Sequence, residues 1–332
     1  MNKRPEYSFN NEIMIRLKGF KSYLKDLGNG ENTIRQKSNY AGYYLKWLAE
    51  EGLQVEDASY NDLLNFIDYC KLESDSNTHI NRKLSSIRDY YEYLKTHDQL
   101  IINPATNLYL KGSCHKIISG IINFKELESL YQDYPTITLR QKRNRVILGL
   151  LIYQGVTTDD LKRLDTGDVR LKEGKIHVPG DRRRNSRNLE LRPFQVMELH
   201  DYLTVTRPAI IKGINQPGPA RKPDRINKTR IESQLFISIN GSENIKNSLW
   251  HLFREIKKIN PCIINAIKIR QSVITYWLKT MNLRQVQYMA GHKRVSSTER
   301  YLGSNLESLK NKLEKCHPLN NKLGIAKCDT QF

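Results

Sequence analysis

The sequence predicts a mainly α-helical protein with a small antiparallel sheet, divided into two domains. Apolar residues recur at three- to four-residue spacing along most of the chain, which is the period of an amphipathic helix. One stretch, residues 175–191, instead has two short β-type segments around a polar loop. Because 332 residues are about twice a usual single domain, we expect a helical domain over residues 1–110 and an α+β domain over residues 123–318.

The first hundred residues predict a four-helix domain. The helices are expected at residues 11–27, 33–51, 60–71 and 78–96. The first of them ends at Gly28-Asn29-Gly30, because glycine and asparagine commonly end helices. Asn103-Pro104 closes the domain, since a residue before proline is pushed out of the helical region.

Residues 111–122 have no sustained period and contain glycines, so we predict a linker there. Helices are expected next at residues 124–131, 140–153 and 158–164, followed by strands at 175–178 and 188–191 around the polar loop 180–187. The chain then returns to helix, with one helix beginning near Arg270 and another at residues 284–290. Residues 319–332 are polar and are expected to form a frayed C-terminal tail.

The charge of the chain favours a polyanionic partner. Lys and Arg number 54 against 35 Asp and Glu, a formal net charge of +19. Residues 11–100 sum to −2, so residues 101–332 carry about +20 and are expected to face nucleic acid. A basic surface with no partner is the plainer alternative.

Membrane insertion and secretion are not expected. No window approaches the ~18 consecutive apolar residues that a membrane span needs, and no apolar segment follows the basic start. The five cysteines are scattered and never form a CxxC pair, which argues against a disulfide framework and against structural zinc. We therefore expect a cytoplasmic protein.

The most informative stretch, residues 269–301, reads IRQSVITYWLKTMNLRQVQYMAGHKRVSSTERY. Arg270 lies at the start of a predicted helix, and Gly291 ends the short helix before His292. The segment SSTE, residues 296–299, predicts the cap of a final helix that carries Tyr301 nine residues after His292. Three reactive side chains thus fall at helix ends and turns, where side chains are presented rather than packed.

The segment AGHKRVSSTERY resembles the signature of the tyrosine recombinases, the integrases of phages and mobile elements, here of the bacterial chromosome-dimer recombinase type. The helix IRQSVITYWL resembles the one that bears their second active-site arginine. The segments NTIRQKSNYAGYYLKWLAEEG and INRKLSSIRDYYEYL resemble their core-binding domain. The resemblance, over about residues 11–317, implies an N-terminal four-helix SAM-like core-binding domain and an α+β tyrosine-recombinase catalytic domain.

The resemblance also implies roles for particular residues. Tyr301 would attack a DNA phosphodiester and form a 3′-phosphotyrosyl link, which conserves the energy of the broken bond without a metal or other cofactor. Arg270 would bind the non-bridging phosphate oxygens, and His292 would hydrogen-bond the same group or handle a proton. Taken singly, a core tyrosine, an ion-pairing arginine and a capping histidine are equally good readings of these residues.

Three positions depart from the pattern of the family. The run GVT ends at Thr157, where the first active-site arginine is expected. Ile267 stands three residues before Arg270, where a histidine is usual. The hairpin lysine that protonates the leaving 5′-oxygen falls near Arg182, and an arginine, which keeps its proton, suits electrostatic help better than proton donation.

Two hypotheses remain open at this stage. The chain is either a recombinase for integration, excision or inversion, assembled as a homotetramer on two double-stranded DNA sites, or a catalytically silent DNA-binding protein on the same scaffold. An amphipathic pattern at residues 302–313 predicts a helix that packs either in cis or on a neighbouring subunit. The candidate DNA contacts are Arg183, Arg184, Arg187, Lys268, Lys293, Arg294, Lys37, Arg82 and Lys83.

Overall fold

The computed structural model describes residues 10–97, 100–112, 118–215, 228–242 and 244–302. Contacts divide the chain into two units, Met1–His115 and Lys116–Phe332, and each has its own hydrophobic core. Within the described ranges, no helix is both long enough and apolar enough to cross a membrane. The predicted mainly α architecture with one small antiparallel sheet is confirmed.

The first unit contains four helices, α1 to α4, which span Asn11–Asp26, Glu31–Glu50, Tyr60–Leu72 and Asn77–Thr96. The predicted bounds differ from these by no more than two residues, because apolar spacing and caps are both local signals. Ser59 forms a capping box with Asp62 at the start of α3, and Ser76 caps α4. Inside the unit, the hydroxyls of Tyr44 and Tyr91 are joined by a hydrogen bond of 2.8 Å.

One predicted DNA contact of this unit is a core residue. Lys83 is only 3% exposed, because its place on α4 falls on the inward face that also carries Ile80 and Ile87. Its ammonium pairs with Asp75 at 2.6 Å and lies 3.8 Å from the ring centre of Tyr43. The prediction that Lys83 contacts DNA is therefore wrong.

The other two candidates of this unit are not in its core. Arg82 is exposed on α4. Lys37, on α2, forms an ion pair of 2.7 Å with Asp89 and keeps part of its side chain accessible. Both remain predictions.

The second unit contains ten described helices and one sheet. The helices α5 to α14 span Phe124–Asp133, Leu139–Tyr153, Thr158–Arg163, Pro193–Asp201, Arg207–Asn215, Lys228–Ser233, Lys246–Ile259, Ala266–Thr280, Leu283–Ala290 and Ser296–Glu299. The strands β1 to β3 span Val169–Arg170, Lys175–Val178 and Arg187–Glu190, in the antiparallel order β1-β2-β3. Ile176 pairs with both Val169 and Leu189. The sequence did not predict β1, since two residues are too few to show an alternating pattern.

Helix α12 begins four residues earlier than predicted. The side chain of Asn265 caps it by accepting the N–H of Lys268, so Ala266 is its first residue. Arg270 consequently lies in the second turn, on a buried face of the helix, rather than at the helix start.

The final described helix, α14, also differs from its prediction. Val295 occupies the N-cap position, so Ser296 is a helical residue and not the cap. The helix ends at Glu299, and Tyr301 lies in the turn that follows. Apart from Leu302, the predicted helix at 302–313 and the tail 319–332 lie outside the described residues.

Candidate active site

Three segments of the second unit bring Arg270, His292 and Tyr301 together. The Nη2 atom of Arg270, on α12, lies 3.2 Å from Nε2 of His292, in the turn after α13. The ring of His292 stacks on the ring of Tyr301, with 6.1 Å between ring centres and 16° between planes. The sequence motif thus corresponds to one site in space.

The guanidinium group of Arg270 is held by main-chain carbonyls. Nη1 donates to the carbonyl of Gly155, and Nη2 donates to the carbonyl of Ala290 at 2.6 Å. The residue is 8% exposed. Burial, with the charge of Arg187 nearby, lowers the pKa of Arg270 to about 10, so it still carries its charge at neutral pH.

His292 is presented by a tight helix end. Gly291 follows α13 with a φ of +68°, a left-handed conformation that glycine adopts without strain. Nδ1 of His292 lies 2.9 Å from Oγ1 of Thr298, and its Nε2 faces a donor of Arg270. Burial and the charge of Arg270 lower the pKa of His292 to about 4, so the imidazole is neutral at pH 7. We assign its proton to Nδ1, because Nε2 must accept.

Tyr301 lies partly buried against the core of the second unit. Burial raises the pKa of its phenol, and the charge of Arg270 opposes that rise. The phenol is therefore protonated at neutral pH. A nucleophilic role requires that it lose this proton as it attacks.

The β2–β3 loop closes a second side of the site. Arg184 and His292 form an isolated antiparallel bridge, and the N–H of Asn185 donates to the carbonyl of Gly291 at 3.0 Å. The Nη1 atom of Arg184 donates to Oγ1 of Thr157, which is the N-cap residue of α7. The position where an arginine was expected is thus in contact with an arginine from another segment.

Asp160 binds the arginines around this loop. Its carboxylate is fully buried and lies 2.8 Å from Nη2 of Arg163 and 3.1 Å from Nη2 of Arg187. It also accepts the N–H of Thr157 at 2.9 Å, which completes a capping box. Burial alone would raise the pKa of Asp160, but Arg187 and this N–H lower it below its usual value. Asp160 is therefore an anion at the centre of a basic cluster.

The remaining predicted residues have different positions. Arg182 and Arg183 are exposed on the β2–β3 loop, and within the described part of the chain no hydrogen bond or ion pair joins the Arg182 side chain to the site. Lys293 and Arg294 are exposed after His292. Nζ of Lys268 donates to the carbonyl of Ser119.

Arg187 and Ile267 differ strongly in exposure. Arg187 is fully buried, so the prediction that it contacts the DNA surface is wrong; it lies on the inward face of β3 beside Asp160. Ile267, which replaces a histidine of the family pattern, is 67% exposed on the first turn of α12. The Ile267 side chain is therefore not enclosed by the described residues of the site.

Sequence reasoning missed Asp160 and Thr298. The spacing of Thr157 and Asp160, a capping box before an apolar run, is a signal that could have identified Asp160 as a helix-start residue. No local signal identifies Thr298, because its contact with His292 depends on how the chain folds back after α13.

The site is arranged for an anion. Among the residues the structure describes, no group of three or more His, Cys, Asp or Glu side chains could hold a metal ion. The positively charged groups that the structure places at the site are guanidiniums, whose planar fork of donors matches the oxygens of a phosphate.

Comparison with protein families gives two matches along the chain. Residues 121–308 match the phage integrase family, and residues 17–98 match the phage integrase N-terminal SAM-like domain. Among curated proteins, the chain is 23% identical over 295 residues to the tyrosine recombinase XerC of Staphylococcus saprophyticus, covering 88% of this chain and 93% of that one. It is 24% identical over 305 residues to XerC of Staphylococcus aureus, with 88% and 96% covered.

Solved structures share the fold. A XerH site-specific recombinase bound to palindromic difH substrate aligns with a TM-score of 0.67 at 15% identity, covering 93% of this chain and 90% of that one. The Tn1549 transposon integrase in complex with a circular intermediate DNA aligns with a TM-score of 0.60 at 15% identity, covering 90% and 99%.

Proposed function

This chain belongs to the phage integrase family, and we propose that it is a tyrosine-type site-specific DNA recombinase whose nucleophile is Tyr301. The observation that carries the assignment of residues is the convergence of Arg270, His292 and Tyr301 from three separate segments. A tyrosine stacked on a histidine that contacts a buried, charged arginine is suited to attack on a phosphodiester that the arginine holds.

The proposed reaction is a transesterification. The Oη atom of Tyr301 forms a bond to the phosphorus and loses its proton, while the bond from phosphorus to the 5′-oxygen breaks and that oxygen takes up a proton. The DNA 3′ end is left on the tyrosine, and a 5′-hydroxyl is released. Because one phosphate ester replaces another, attack by a 5′-hydroxyl reverses the step and rejoins a strand without an external energy source.

Arg270 and His292 take different parts in this step. Arg270 keeps its charge and offers donors to the non-bridging oxygens, where negative charge accumulates in the transition state. His292 has a pKa of about 4 and is a weak base, so hydrogen bonding suits it better than proton transfer. It holds one edge of the Arg270 guanidinium and supports the ring of Tyr301.

The exposed loop arginine Arg182 is proposed to stabilise the leaving 5′-oxygen once DNA is bound. Arg183, Lys293 and Arg294 are exposed on the same unit and are proposed to contact the phosphate backbone, which positions a duplex without reading its sequence. Arg82 and Lys37 would contribute from the first unit.

The assembly and setting also follow from family membership as proposals. A XerH relative was solved on its difH substrate and a transposon integrase on a circular intermediate DNA, which supports double-stranded DNA as the partner. We infer a homotetramer that joins two DNA sites in the cytoplasm of its host, and the transposon relative favours a mobile element as the context. Integration, excision and inversion share the chemistry above.

Covalent trapping tests the proposal. The protein is incubated with nicked duplexes tiled across the DNA that flanks its gene, so that a cut strand diffuses away and the covalent complex accumulates. We expect a protease-sensitive protein–DNA adduct on a denaturing gel, with the protein joined to the new 3′ end of the cut strand. Tyr301→Phe should bind the same duplexes and form no adduct, because it lacks the attacking oxygen.

Two controls complete the experiment. Tyr288→Phe removes another tyrosine hydroxyl of the same unit, one that contacts the main chain of Asn188, and should keep the adduct. Binding to several duplexes with no adduct on any of them would instead favour the silent DNA-binding protein.

A further inference from the structure

The β2–β3 loop is shaped by a turn that closes on Asp181. Its Oδ1 accepts the main-chain N–H groups of Arg183 and Arg184 at 2.6 and 2.7 Å, and its own N–H donates to the carbonyl of Arg184 at 2.8 Å. The turn leaves Arg182 and Arg183 exposed but returns Arg184 toward the domain, where its side chain is 15% exposed.

The guanidinium of Arg184 is held on one side by Asp181 and on the other by Thr157. Nε and Nη2 contact Oδ2 of Asp181 at 3.3 and 2.9 Å, while Nη1 donates to Oγ1 of Thr157. Arg270 donates to the carbonyl of Gly155, two residues before Thr157. Two guanidinium groups from different parts of the chain therefore meet at the turn between α6 and α7.

The main chain holds Arg184 in register with the rest of the site. The antiparallel bridge to His292 and the bond from Asn185 to Gly291 tie the loop to the turn beside Tyr301. The charge of Arg184 is close enough to lower the pKa of both Arg270 and His292.

The cluster has more positive charge than its own acids neutralise. The guanidinium groups of Arg163, Arg184, Arg187 and Arg270 lie around two carboxylates, Asp160 and Asp181, among the described residues. Nε and Nη1 of Arg187 are buried and have no hydrogen-bond partner in the described structure. Buried excess charge is costly unless a counter-ion arrives, so the cluster is suited to receive an anion.

We propose that Arg184 is a catalytic residue that binds a non-bridging oxygen of the scissile phosphate, as the second guanidinium beside Arg270. This inference rests on the proposed function, because it needs a phosphodiester in front of Tyr301. It explains how the site works with Thr157 at a position where the family pattern has an arginine. The guanidinium is supplied from the β2–β3 loop, and Thr157 accepts a hydrogen bond from it.

An arginine at position 157 and Arg184 in its present place exclude each other. An arginine at position 157 would bring a second positive charge to the place that Arg184 now occupies, with Asp160 already shared among three arginines. The small side chain of Thr157 leaves room for the Arg184 guanidinium, and its hydroxyl accepts a hydrogen bond from that group. We therefore expect Thr157→Arg to harm the wild-type chain but to help a chain that lacks Arg184.

The test uses the full-length protein and a nicked duplex that gives the covalent adduct with the wild type. Arg184→Ala should lower the single-turnover rate of adduct formation by ~10²- to 10³-fold at saturating DNA, the usual effect of losing one oxyanion donor. Arg184→Lys should recover part of the rate, since it restores charge without the fork of donors. The double variant Thr157→Arg/Arg184→Ala should form the adduct faster than Arg184→Ala.

A duplex with an uncharged scissile linkage distinguishes the loss of a contact to the phosphate from a structural effect of the substitution. In a duplex whose scissile phosphate has a methyl group in place of one non-bridging oxygen, a residue that binds that oxygen has nothing left to stabilise. Arg184→Ala and the wild type should then cleave at least one of the two stereoisomers at rates within about threefold of each other. The control is Arg170→Ala, which removes an equal charge from an exposed side chain on β1 and should change neither rate.

The outcomes are distinct. An Arg184→Ala rate no lower than that of Arg170→Ala, or an equal loss on phosphate and on the methyl-substituted substrate, would overturn this inference and leave the proposed function intact. An Arg184→Ala protein that fails to fold is judged by Arg184→Lys on the same two substrates. A wild type that forms no adduct removes the proposed function itself.

Discussion

Both units of the chain bury basic side chains, but only the first balances them. Lys83 pairs with Asp75 at 2.6 Å and lies over the ring of Tyr43, so its single charge is met by a carboxylate and an aromatic face. In the second unit, the fully buried Arg187 shares Asp160 with two other arginines, and two of its side-chain nitrogens have no acceptor among the described residues.

The difference shows what each region is built for. A buried cation with its own counter-ion leaves no uncompensated charge in the core, whereas a buried cluster with surplus charge costs free energy in the free protein, and a bound anion lowers that cost. The first arrangement gives the first unit a buried ion pair. The second is suited to the phosphate that we propose the other unit binds.

The largest expected effect comes from removing the one carboxylate at the centre of the cluster. Asp160→Asn leaves Arg187 buried without a counter-ion and should destabilise the second unit by ~3–5 kcal/mol. Urea unfolding followed by tryptophan fluorescence in a Trp47→Phe background reports this unit, because Trp250 and Trp277 both lie in it.

Two further variants sharpen this measurement. Asp159→Asn removes an exposed neighbour of Asp160 and should change stability by no more than ~0.5 kcal/mol. Asp160→Asn/Arg187→Met removes both buried charges and should recover most of the loss. If Asp160→Asn is no less stable than Asp159→Asn, then Asp160 does not neutralise the cluster.

A smaller effect is expected in the first unit. Lys83→Met should destabilise it by ~1–3 kcal/mol, because Asp75 loses one partner but keeps His79 at 2.6 Å and some exposure to water. DNA affinity should stay unchanged. The unfolding of this unit is followed by Trp47 with Trp250 and Trp277 replaced by phenylalanine.

Arg82, the residue before Lys83, is expected to show the opposite behaviour. Arg82→Met changes an exposed side chain and should leave stability within ~0.5 kcal/mol. It should weaken DNA binding and reduce the slope of log affinity against log salt by about 1. A loss of DNA affinity in Lys83→Met equal to that in Arg82→Met would contradict the core position of Lys83.

Gly291 and Gly52 compare the packing of the two units at one backbone conformation. Their φ values are +68° and +70°, so alanine at either position costs ~1–2 kcal/mol in a left-handed conformation. A Cβ at position 291 would lie 2.6 Å from Nη1 of Arg187, whereas one at position 52 meets nothing within 4 Å. Gly291→Ala should therefore lose more stability than Gly52→Ala and also slow adduct formation. Equal losses in thermal unfolding would show that Arg187 moves aside freely.

The sequence predicts local features of this molecule better than it predicts burial. Apolar spacing located the helices of the first unit to within two residues, since that pattern is written along each helix. The recombinase motif identified three residues that the structure brings together. Charge, however, looks alike in a sequence whether it faces water or the core, and so Lys83 and Arg187 were both taken for DNA contacts.

What the sequence could not predict depends on contacts between distant segments. The approach of Arg184 to Thr157 follows from the turn at Asp181 and from the bridge to His292, and neither leaves a local pattern. A missing arginine at position 157 can be read from the sequence. The guanidinium that lies there instead belongs to a residue 27 positions further along the chain and can be found only when the intervening chain is folded.

The smallest expected effect is the pH dependence that burial and the charged cluster impose on His292. Its pKa falls from the ordinary 6.5 to about 4 in the folded chain, so between these values the unfolded chain binds more protons than the folded one. Lowering the pH through this interval therefore favours unfolding. The stabilising contribution of His292 is fully present above about pH 6.5 and is lost as the pH approaches about 4.

Comparison of the wild type with His292→Gln isolates this contribution, because glutamine does not titrate. The melting temperature of the wild type minus that of the variant should be constant above about pH 6.5 and should fall by a few degrees toward about pH 4. Arg184→Ala removes one of the charges that depress this pKa, so the same comparison in an Arg184→Ala background should show a smaller fall, which levels off at a higher pH than in the wild type. A difference that stays constant down to pH 4 would mean that burial and the arginines do not hold His292 neutral, and the charge excess that distinguishes the second unit would then be smaller than the contacts indicate.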